Sequence, residues 1–306
     1  MKHRFFLLML TALLLAGCSD GAPLRAVYHW KTTYDPTQYE LQWLRDHHVQ
    51  RLYLRLFDVA LYDCPEGAAP IATTRFMQPL PDGMEVVPVV YITNEAMREM
   101  SVWAVAERVA ERVKRMADCQ GFGLTELQVD CDWTQTTKGC YYRFCDALHD
   151  ILAEDSIRLS STVRLHQVDS TLAGLSVDSK VLMLYNTGDL RSPQTANSIL
   201  DYNDVAPYLH RLDAGSIADM GVAWPVFGWG VVFDGEGRFR RLVPSSALDT
   251  DSSSHLRVEW GRPDDIRRVQ HRLPRRPGGG VTVLYHLDSL NLSKYTYDEI
   301  EDFYRR

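Results

Sequence analysis

The globular part of the sequence, from residue 26 onward, lacks the short motifs of several common enzyme classes. It contains no Gly-x-Ser-x-Gly elbow, no His-Glu-x-x-His pair, no phosphate-binding P-loop and no dinucleotide-binding glycine fingerprint. These absences argue against α/β-hydrolases, zinc proteases with that signature, nucleotide hydrolases and Rossmann-type dehydrogenases. We therefore predict no cofactor for this chain.

Basic residues are in deficit, and cysteines are few. The 306 residues include 33 Lys and Arg against 40 Asp and Glu, which gives a net charge of −7 at pH 7. This balance argues against a nucleic-acid partner. The six cysteines form no Cys-x-x-Cys pair and show no metal-ligand spacing. We favour buried thiols over disulfides and predict no metal site.

The first residues carry the pattern of a bacterial lipoprotein signal peptide. A positive start at residues 2–4 precedes an apolar run over residues 5–15, which is the length of a signal segment and too short to span a bilayer. Leu15-Ala16-Gly17-Cys18 then places small residues before a cysteine. We expect residues 1–17 to be removed and Cys18 to be lipidated, with residues 18–25 as a tether. An ordinary cleaved signal is the alternative.

The lipoprotein interpretation implies an exported protein that is anchored to a membrane by its lipid. No later stretch is apolar enough for a membrane-spanning helix. We expect a location in the bacterial cell envelope, on the outer membrane. The protein could lie on the periplasmic face or on the cell-surface face of that membrane.

Short apolar strands alternate with longer amphipathic helices along the rest of the chain. Eight such strands predict an α/β fold, a (β/α)₈ TIM barrel formed as a single domain over residues 26–306. The hydrophobic content of 45% is ample for its core. The predicted strands are Ala26–Trp30, Arg51–Val59, Glu85–Ile92, Glu126–Trp133, Ile157–Leu165, Val181–Tyr185, Gly221–Trp229 and Val281–Leu287.

A long insertion, Val231–Gly280, separates the predicted seventh and eighth strands. Within it, apolar residues flank Asp234-Gly235, a pair that favours a β-hairpin turn. The basic stretch Arg262–Gly280 predicts a helix and a surface loop. Its charge could meet anionic groups, although a solvated face is the simpler interpretation.

Polar and aromatic residues recur where the predicted strands end. In a TIM barrel, the carboxyl ends of the strands line the active site, so these residues predict a functional cleft. Ordinary polarity of strand ends is the alternative. The residues are Trp30, Asp58, Glu95, Asp130, Asp132, Arg164, His166, Tyr185, Asn186, Trp224, Trp229 and His286.

The fourth strand carries two carboxylates on one side. Strand alternation places Gln128, Asp130 and Asp132 on one face, with the carboxylates roughly 6–7 Å apart along the strand. Mutual repulsion would help one of them to retain its proton, as general acid catalysis requires. They could instead bond to strand-end amides or to an arginine such as Arg55 or Arg164. A metal ion held by both carboxylates and His166 is a further alternative.

Two segments resemble a known family. Val129-Asp130-Cys131-Asp132-Trp133-Thr134 resembles the strand-four signature of family-18 glycoside hydrolases, the chitinase-type barrels, which reads Asp-x-Asp-x-Glu. Met183-Leu184-Tyr185-Asn186 resembles that family's strand-six Met-x-Tyr-Asp. The two segments follow each other in the family's order, and Gly221–Gly228 is loosely similar to its seventh strand. The resemblance implies a TIM barrel that acts on or binds a glycan.

The resemblance also implies roles for individual residues. Asp132 would orient the N-acetyl group of the substrate, Asp130 would support it, and Tyr185 would bind its acetamido oxygen. Two positions depart from the pattern: the catalytic acid is replaced by Thr134, which cannot donate a proton near neutral pH, and the strand-six Asp is Asn186. The expected ligand-binding residues are Trp30, Asp58, Glu95, Gln128, Arg164, Asn186, Trp224, Trp229 and His286.

Three functions therefore remain open at the level of sequence. The protein could be a glycoside hydrolase in which Asp132 serves as the acid, with Asp58 or Glu95 as its partner carboxylate. It could be a catalytically inactive glycan-binding lipoprotein, in which Trp30, Trp133, Trp224 and Trp229 stack on sugar rings. It could also be a structural or assembly lipoprotein of the cell envelope, because a fold alone does not define a function.

Overall fold

The computed structural model describes residues 22–169, 172–212, 220–244, 255–274 and 280–305. The expected signal peptide, Cys18 and the first part of the tether lie outside these ranges. Within them, no helix has both the length and the apolar character needed to cross a membrane. The cysteines in these ranges are free thiols; Cys131 and Cys145 are buried, and Cys119 is exposed.

Eight parallel strands, β1 to β8, form a closed barrel. Each strand pairs with the next along the chain, and β8 returns to pair with β1. This architecture confirms the predicted (β/α)₈ TIM barrel. The strands are β1 Leu24–His29, β2 Arg51–Leu61, β3 Glu85–Ile92, β4 Glu126–Asp130, β5 Arg158–Arg164, β6 Ser179–Met183, β7 Met220–Pro225 and β8 Val281–Tyr285.

Helices connect the strands and cover the outside of the barrel. Thr37 begins the first helix with a capping box that it shares with Glu40. The longest helix, Val102–Gln120, buries a valine and alanine face and ends at Gly121 in the left-handed conformation. The α-helices are α1 Gln38–Asp46, α2 Ala96–Glu99, α3 Val102–Gln120, α4 Lys138–Ala153, α5 Tyr202–Leu209, α6 Pro263–Arg272, α7 Ser289–Leu292 and α8 Tyr297–Tyr304, and 3₁₀ turns cover Leu165–Gln167 and Leu172–Gly174.

The inside of the barrel is polar as well as aromatic. The Tyr28 hydroxyl on β1 donates a 2.6 Å hydrogen bond to Gln128 Oε1 on β4, and Gln128 Nε2 donates to Ser160 Oγ on β5 at 3.4 Å. Cys131 and Trp133 follow the opposite parity and are buried, with Trp133 packed on Tyr141 of α4. The predicted alternation in this segment therefore places its polar side chains inside the barrel.

A register shift in β2 changes which of its residues share a face. The shift lies between Arg55 and Phe57, where β2 pairs with β3. Such a bulge adds one residue to one strand and reverses the alternation beyond it. Arg55 and Asp58, which strict strand alternation would place on opposite faces, consequently meet in an ion pair. Beyond the bulge, β2 pairs antiparallel with the short strand Ala68–Ile71.

The insertion between β7 and β8 contains a small antiparallel sheet, which we call the insertion sheet. Its strands are Gly228–Phe233, Phe239–Pro244 and His255–Trp260, with the first in the centre. The hairpin predicted around Asp234-Gly235 is confirmed. The predicted seventh strand, Gly221–Trp229, was too long: the barrel strand ends at Pro225, and Trp229 belongs to the insertion sheet. A short two-stranded sheet pairs Thr33–Tyr34 with Arg75–Phe76.

Candidate functional site

Asp130 lies at the carboxyl end of β4, inside the barrel and almost fully buried. Its Oδ1 accepts a hydrogen bond from the Thr162 hydroxyl and lies 4.0 Å from Arg164 Nη2. Burial raises the pKa of Asp130 above its usual value; the Arg164 guanidinium opposes this rise, and the Asp132 carboxylate adds to it. Asp130 is therefore a carboxyl group bound by protein donors rather than one that faces a ligand.

Asp132 lies just beyond the strand and reaches the surface of the barrel mouth. Its Oδ1 accepts a 2.6 Å hydrogen bond from Arg164 Nε, and 47% of its side chain is exposed. The Arg164 guanidinium also lies 5.5 Å from the centre of the Tyr185 ring. This pairing matches the alternative in which an arginine binds the two carboxylates.

Tyr185 follows β6 and is buried under its neighbours. Its hydroxyl donates to Met183 Sδ at 3.0 Å, and burial raises the pKa of the phenol well above its usual value. The ring lies 4.8 Å from that of Tyr285 and 5.8 Å from that of Phe227. Tyr185 thus forms part of an aromatic layer across β6, β7 and β8.

A second ion pair lies across the mouth on β2. Arg55 Nε donates a 2.8 Å hydrogen bond to Asp58 Oδ1, and the Arg55 guanidinium stands 5.9 Å from the Trp30 ring centre. Trp30 also contacts the edge of Tyr91 and approaches Tyr285 to 5.7 Å. Asp58 and Asp132, two partly exposed aspartates of the barrel mouth, are therefore each paired with an arginine.

An open cleft of about 510 Å³ lies between the barrel mouth and the insertion sheet, and we call it the aromatic cleft. Phe227 and Trp229 contact each other edge to face at 5.3 Å, and Phe227 lies 5.4 Å from Tyr285. Leu242 and Leu290 stand exposed at its rim. The cleft is lined by Asn186, Phe227, Gly228, Trp229, Leu242, Val243, Pro244, Tyr285, His286, Asp288, Leu290 and Asn291.

His286 is an uncharged polar residue in the lining of the aromatic cleft. Burial is the main reason that its pKa falls to about 4, and burial likewise lowers the pKa of His29, on β1, to about 3. Lys31 contributes to both shifts and is itself paired with Asp288 at 2.9 Å. Both imidazoles are uncharged near neutral pH, so His286 offers hydrogen bonding without a charge.

A smaller cleft of about 250 Å³ meets the aromatic cleft at Asn186. Asn186 has φ of 55°, a left-handed conformation that asparagine tolerates better than most residues. The smaller cleft is lined by Asp132, Arg164, Leu165, His166, Tyr185, Asn186, Thr187 and Tyr208. The smaller cleft, at the carboxyl ends of β4, β5 and β6, thus lies on one side of Asn186. The aromatic cleft, next to the insertion sheet, lies on the other side.

Some residues expected at the site lie elsewhere. Trp224 and Gln128 are fully buried and Trp133 nearly so, which leaves none of them free to contact a ligand; the expectation that Trp133 and Trp224 stack on sugars needs this correction. Gln128 points into the barrel and bonds to Tyr28, whereas Trp133 packs on Tyr141 of α4 and Trp224 belongs to the hydrophobic core. Glu95 is exposed at the start of α2, and no ion pair joins it to the mouth in the described part of the chain.

Position 134, where the sequence resemblance would place a catalytic acid, carries a threonine. Thr134 is exposed, its Oγ1 lies 2.9 Å from Thr136 Oγ1, and its amide donates to Thr137 Oγ1 at 2.9 Å. Glu126, at the far end of β4, is fully buried and paired with Arg158 at 2.9 Å. Across the described ranges, no three His, Cys, Asp or Glu side chains cluster in a way that would hold a metal ion.

Phe227, Tyr285, Leu242 and Glu259 line or support the aromatic cleft, and sequence reasoning did not select them. Tyr285 immediately precedes His286, which was selected, so its place at the end of β8 was a usable signal. Phe227 had a similar signal, because it follows β7. Leu242 and Glu259 come from the insertion, and only the pairing of its strands brings them to the cleft.

Comparison with known proteins gives a result at the level of fold. No family model matches the chain, and neither does any curated protein. The spore cortex-lytic enzyme SleL of Bacillus megaterium QM B1551 superposes with a TM-score of 0.58 at 12% identity, over 94% of this chain and 76% of that chain. A Group IV chitinase of Ostrinia furnacalis gives 0.57 at 11% identity, over 93% and 100%.

A class V chitinase mutant of Nicotiana tobaccum, solved in complex with NAG4, gives a TM-score of 0.56 at 12% identity, over 92% of this chain and 99% of that chain. At identities this low, the superpositions show a shared fold and do not show a shared chemical activity. The chain has a chitinase-like TIM-barrel fold.

Proposed function

We propose that this protein binds a glycan that contains N-acetylglucosamine, in the aromatic cleft, and holds it without cleaving it. The fold is that of chitinases, and one solved neighbour carries NAG4. A mostly apolar cleft with a few convergent polar groups is the usual form of a small-ligand site. The CH faces of sugar rings pack against aromatic rings such as those of Trp229 and Tyr285, while His286 and Asn186 offer hydrogen bonds to hydroxyl and amide groups.

Binding without cleavage rests on one observation at the barrel mouth. Asp132, the carboxylate nearest to the missing acid, is engaged by Arg164 at 2.6 Å, while position 134 is a threonine. General acid catalysis requires a protonated group within hydrogen-bond reach of the leaving oxygen. Asp130 has a raised pKa, yet it is buried and bonded to Thr162, so a glycosidic oxygen cannot reach it.

Hydrolysis is the second candidate, and the raised pKa of Asp130 is the observation that favours it. If a ligand displaced Arg164, Asp130 and Asp132 would form a carboxylate pair of the kind that glycosidases use.

The location of the protein is part of the proposal as well. The sequence pattern at Cys18 supports attachment to a bacterial envelope membrane through lipid, where envelope glycans are within reach.

The test measures binding of an N-acetylglucosamine tetramer to the full chain in detergent by titration calorimetry. We expect saturable binding that Trp229→Ala weakens by roughly tenfold or more, the effect of losing an aromatic anchor. Trp103→Ala is the matched control, because Trp103 is 53% exposed on α3 and lies outside the cleft-lining residues. It should leave the affinity unchanged.

Release of reducing ends from the same tetramer, and from cortex peptidoglycan, separates the two candidates. We expect none from the wild-type chain. Turnover that disappears in Asp132→Asn would establish a hydrolase and overturn binding without cleavage. Absence of binding to the tetramer would reject the proposed function altogether.

A further inference from the structure

The indole of Trp229 is tied to a buried carboxylate. Trp229 Nε1 donates a 2.9 Å hydrogen bond to Glu259 Oε2 on the neighbouring strand of the insertion sheet. Glu259 is completely buried, and its other bonds come from the Ser198 hydroxyl and from Arg257 Nε at 2.5 Å. A buried carboxylate with three donors is a strong and directional acceptor.

The same carboxylate joins the insertion sheet to the loop that follows β6. Arg257 continues to the carbonyl oxygens of Ser192 at 2.7 Å and Leu190 at 3.1 Å. Asn197 in that loop donates to the Trp260 carbonyl at 3.0 Å. The loop begins next to Asn186, which lines both clefts. Glu259 thus lies where hydrogen bonds join the insertion sheet, on one side of the aromatic cleft, to the loop after β6, on the other side.

We propose that Glu259 is a positioning residue that fixes the ring plane of Trp229 for glycan binding; this inference rests on the proposed function. An indole free to rotate would lose conformational entropy when a sugar packs on it. The hydrogen bond to Glu259 orders the ring before the ligand arrives, and such preorganisation strengthens binding. Glu259 itself touches no ligand, because its side chain is covered by the loop and by Trp229.

The test is a double-variant cycle of tetramer affinities on the full chain in detergent. Glu259→Gln keeps the shape of the side chain and removes its charge, and Trp229→Phe keeps an aromatic face without the N–H donor. We expect Glu259→Gln to weaken binding by roughly tenfold in the wild-type background. We expect no further loss in the Trp229→Phe background, because coupled residues are non-additive.

A second readout needs no glycan. The fluorescence of Trp229 is obtained by subtracting the spectrum of the Trp229→Phe chain, and acrylamide quenching of that signal should increase in Glu259→Gln. If Glu259→Gln does not fold, Glu259→Asp is measured in its place. That variant keeps the negative charge but shortens the side chain by one methylene, which draws the carboxylate away from Trp229 Nε1, so it should show the same dependence on Trp229.

Equal losses of affinity in both backgrounds would mean that Glu259 only stabilises the fold, and would overturn the inference. So would an unchanged affinity and unchanged quenching in Glu259→Gln. If the wild-type chain binds no tetramer, the proposed function fails; the quenching result then reports on the Trp229–Glu259 link independently.

Discussion

Arg164 binds two carboxylates of unequal exposure: its Nε donates a 2.6 Å hydrogen bond to Asp132 Oδ1, and its Nη2 lies 4.0 Å from Asp130 Oδ1. The Asp132 side chain is about half exposed, whereas that of Asp130 is almost completely buried. Because a buried charge without a counter-ion is costly, the arginine matters to the fold mainly through Asp130. The hydrogen bond from Arg164 to Asp132 results from the same position of the arginine beside Asp130.

Replacing this arginine should destabilise the protein. In Arg164→Gln, Asp130 would keep Thr162 as a donor but lose the cation nearest to it. Breaking a buried ion pair on one side costs on the order of 3 kcal/mol. We expect the free energy of unfolding to fall by about that amount, as measured by urea unfolding at pH 7.

Arg115→Gln is the matched control for that measurement. Arg115 is 69% exposed on α3 and lies 3.7 Å from Glu111 in an ion pair. Exposed pairs of this kind contribute less than about 1 kcal/mol. A loss in Arg164→Gln no larger than that in Arg115→Gln would contradict the view that Asp130 depends on its arginine.

Most of the barrel could be predicted because its strands are buried on both faces. Runs such as Glu85–Ile92 and Val281–Tyr285 are short, apolar and separated by amphipathic helices, and parallel strands under helices have this pattern. The strand ends were less predictable. Apolar residues continue beyond Pro225 into the insertion sheet, so the sequence shows one run where the structure has two strands.

The candidate site was predictable only where it is formed by strand ends. Asp130 ends β4, Asp132 follows it, and Arg164 ends the neighbouring strand β5, so the parallel order of the barrel brings the three together. The pairing of Arg55 with Asp58 was not predictable, because it depends on a bulge with no clear sequence signal. Glu259 was out of reach for another reason: its burial results from tertiary contact between the insertion sheet and the loop after β6.

His29, which is buried, and His286, which is partly buried, should make stability fall on acidification. Burial lowers the pKa of His29 to about 3 and that of His286 to about 4, whereas an unfolded histidine titrates near pH 6.5. As the pH falls below about 6.5, the unfolded chain takes up protons that the folded chain does not. Each histidine therefore contributes stability that is present above pH 6.5 and is lost as the pH falls toward its folded value.

The measurement compares unfolding free energies at pH 7 and pH 5 for the wild type and for His29→Gln. Carboxylates contribute to the pH dependence of both chains, so the difference between the chains isolates the histidine. We expect the wild type to lose about 2 kcal/mol more than the variant between these values. His286→Gln should behave in the same way. Equal slopes in all three chains would show that neither imidazole is held neutral by the fold.

Gly261 allows the insertion sheet to approach the barrel. It follows the strand His255–Trp260, its amide donates to the Phe227 carbonyl at 3.1 Å, and a Cβ added there would lie 2.0 Å from the Pro225 carbonyl oxygen. Backbone cannot move aside as a side chain can, so Gly261→Ala must shift the sheet away from β7. We expect a loss of stability of about 3 kcal/mol or more, because overpacking against a fixed backbone is costly.

Gly235→Ala tests whether this effect is specific to the close approach. Gly235 lies in the hairpin turn of the same sheet, and a Cβ there would meet no atom within 4 Å. Its unfolding free energy should stay within about 0.5 kcal/mol of the wild type. Since Phe227 and Trp229 flank the contact that Gly261 makes, Gly261→Ala should also weaken binding of the tetramer, whereas Gly235→Ala should not. Equal stability and affinity in the two variants would show that the insertion sheet is free to move without cost, and the aromatic cleft would then not depend on its packing against β7.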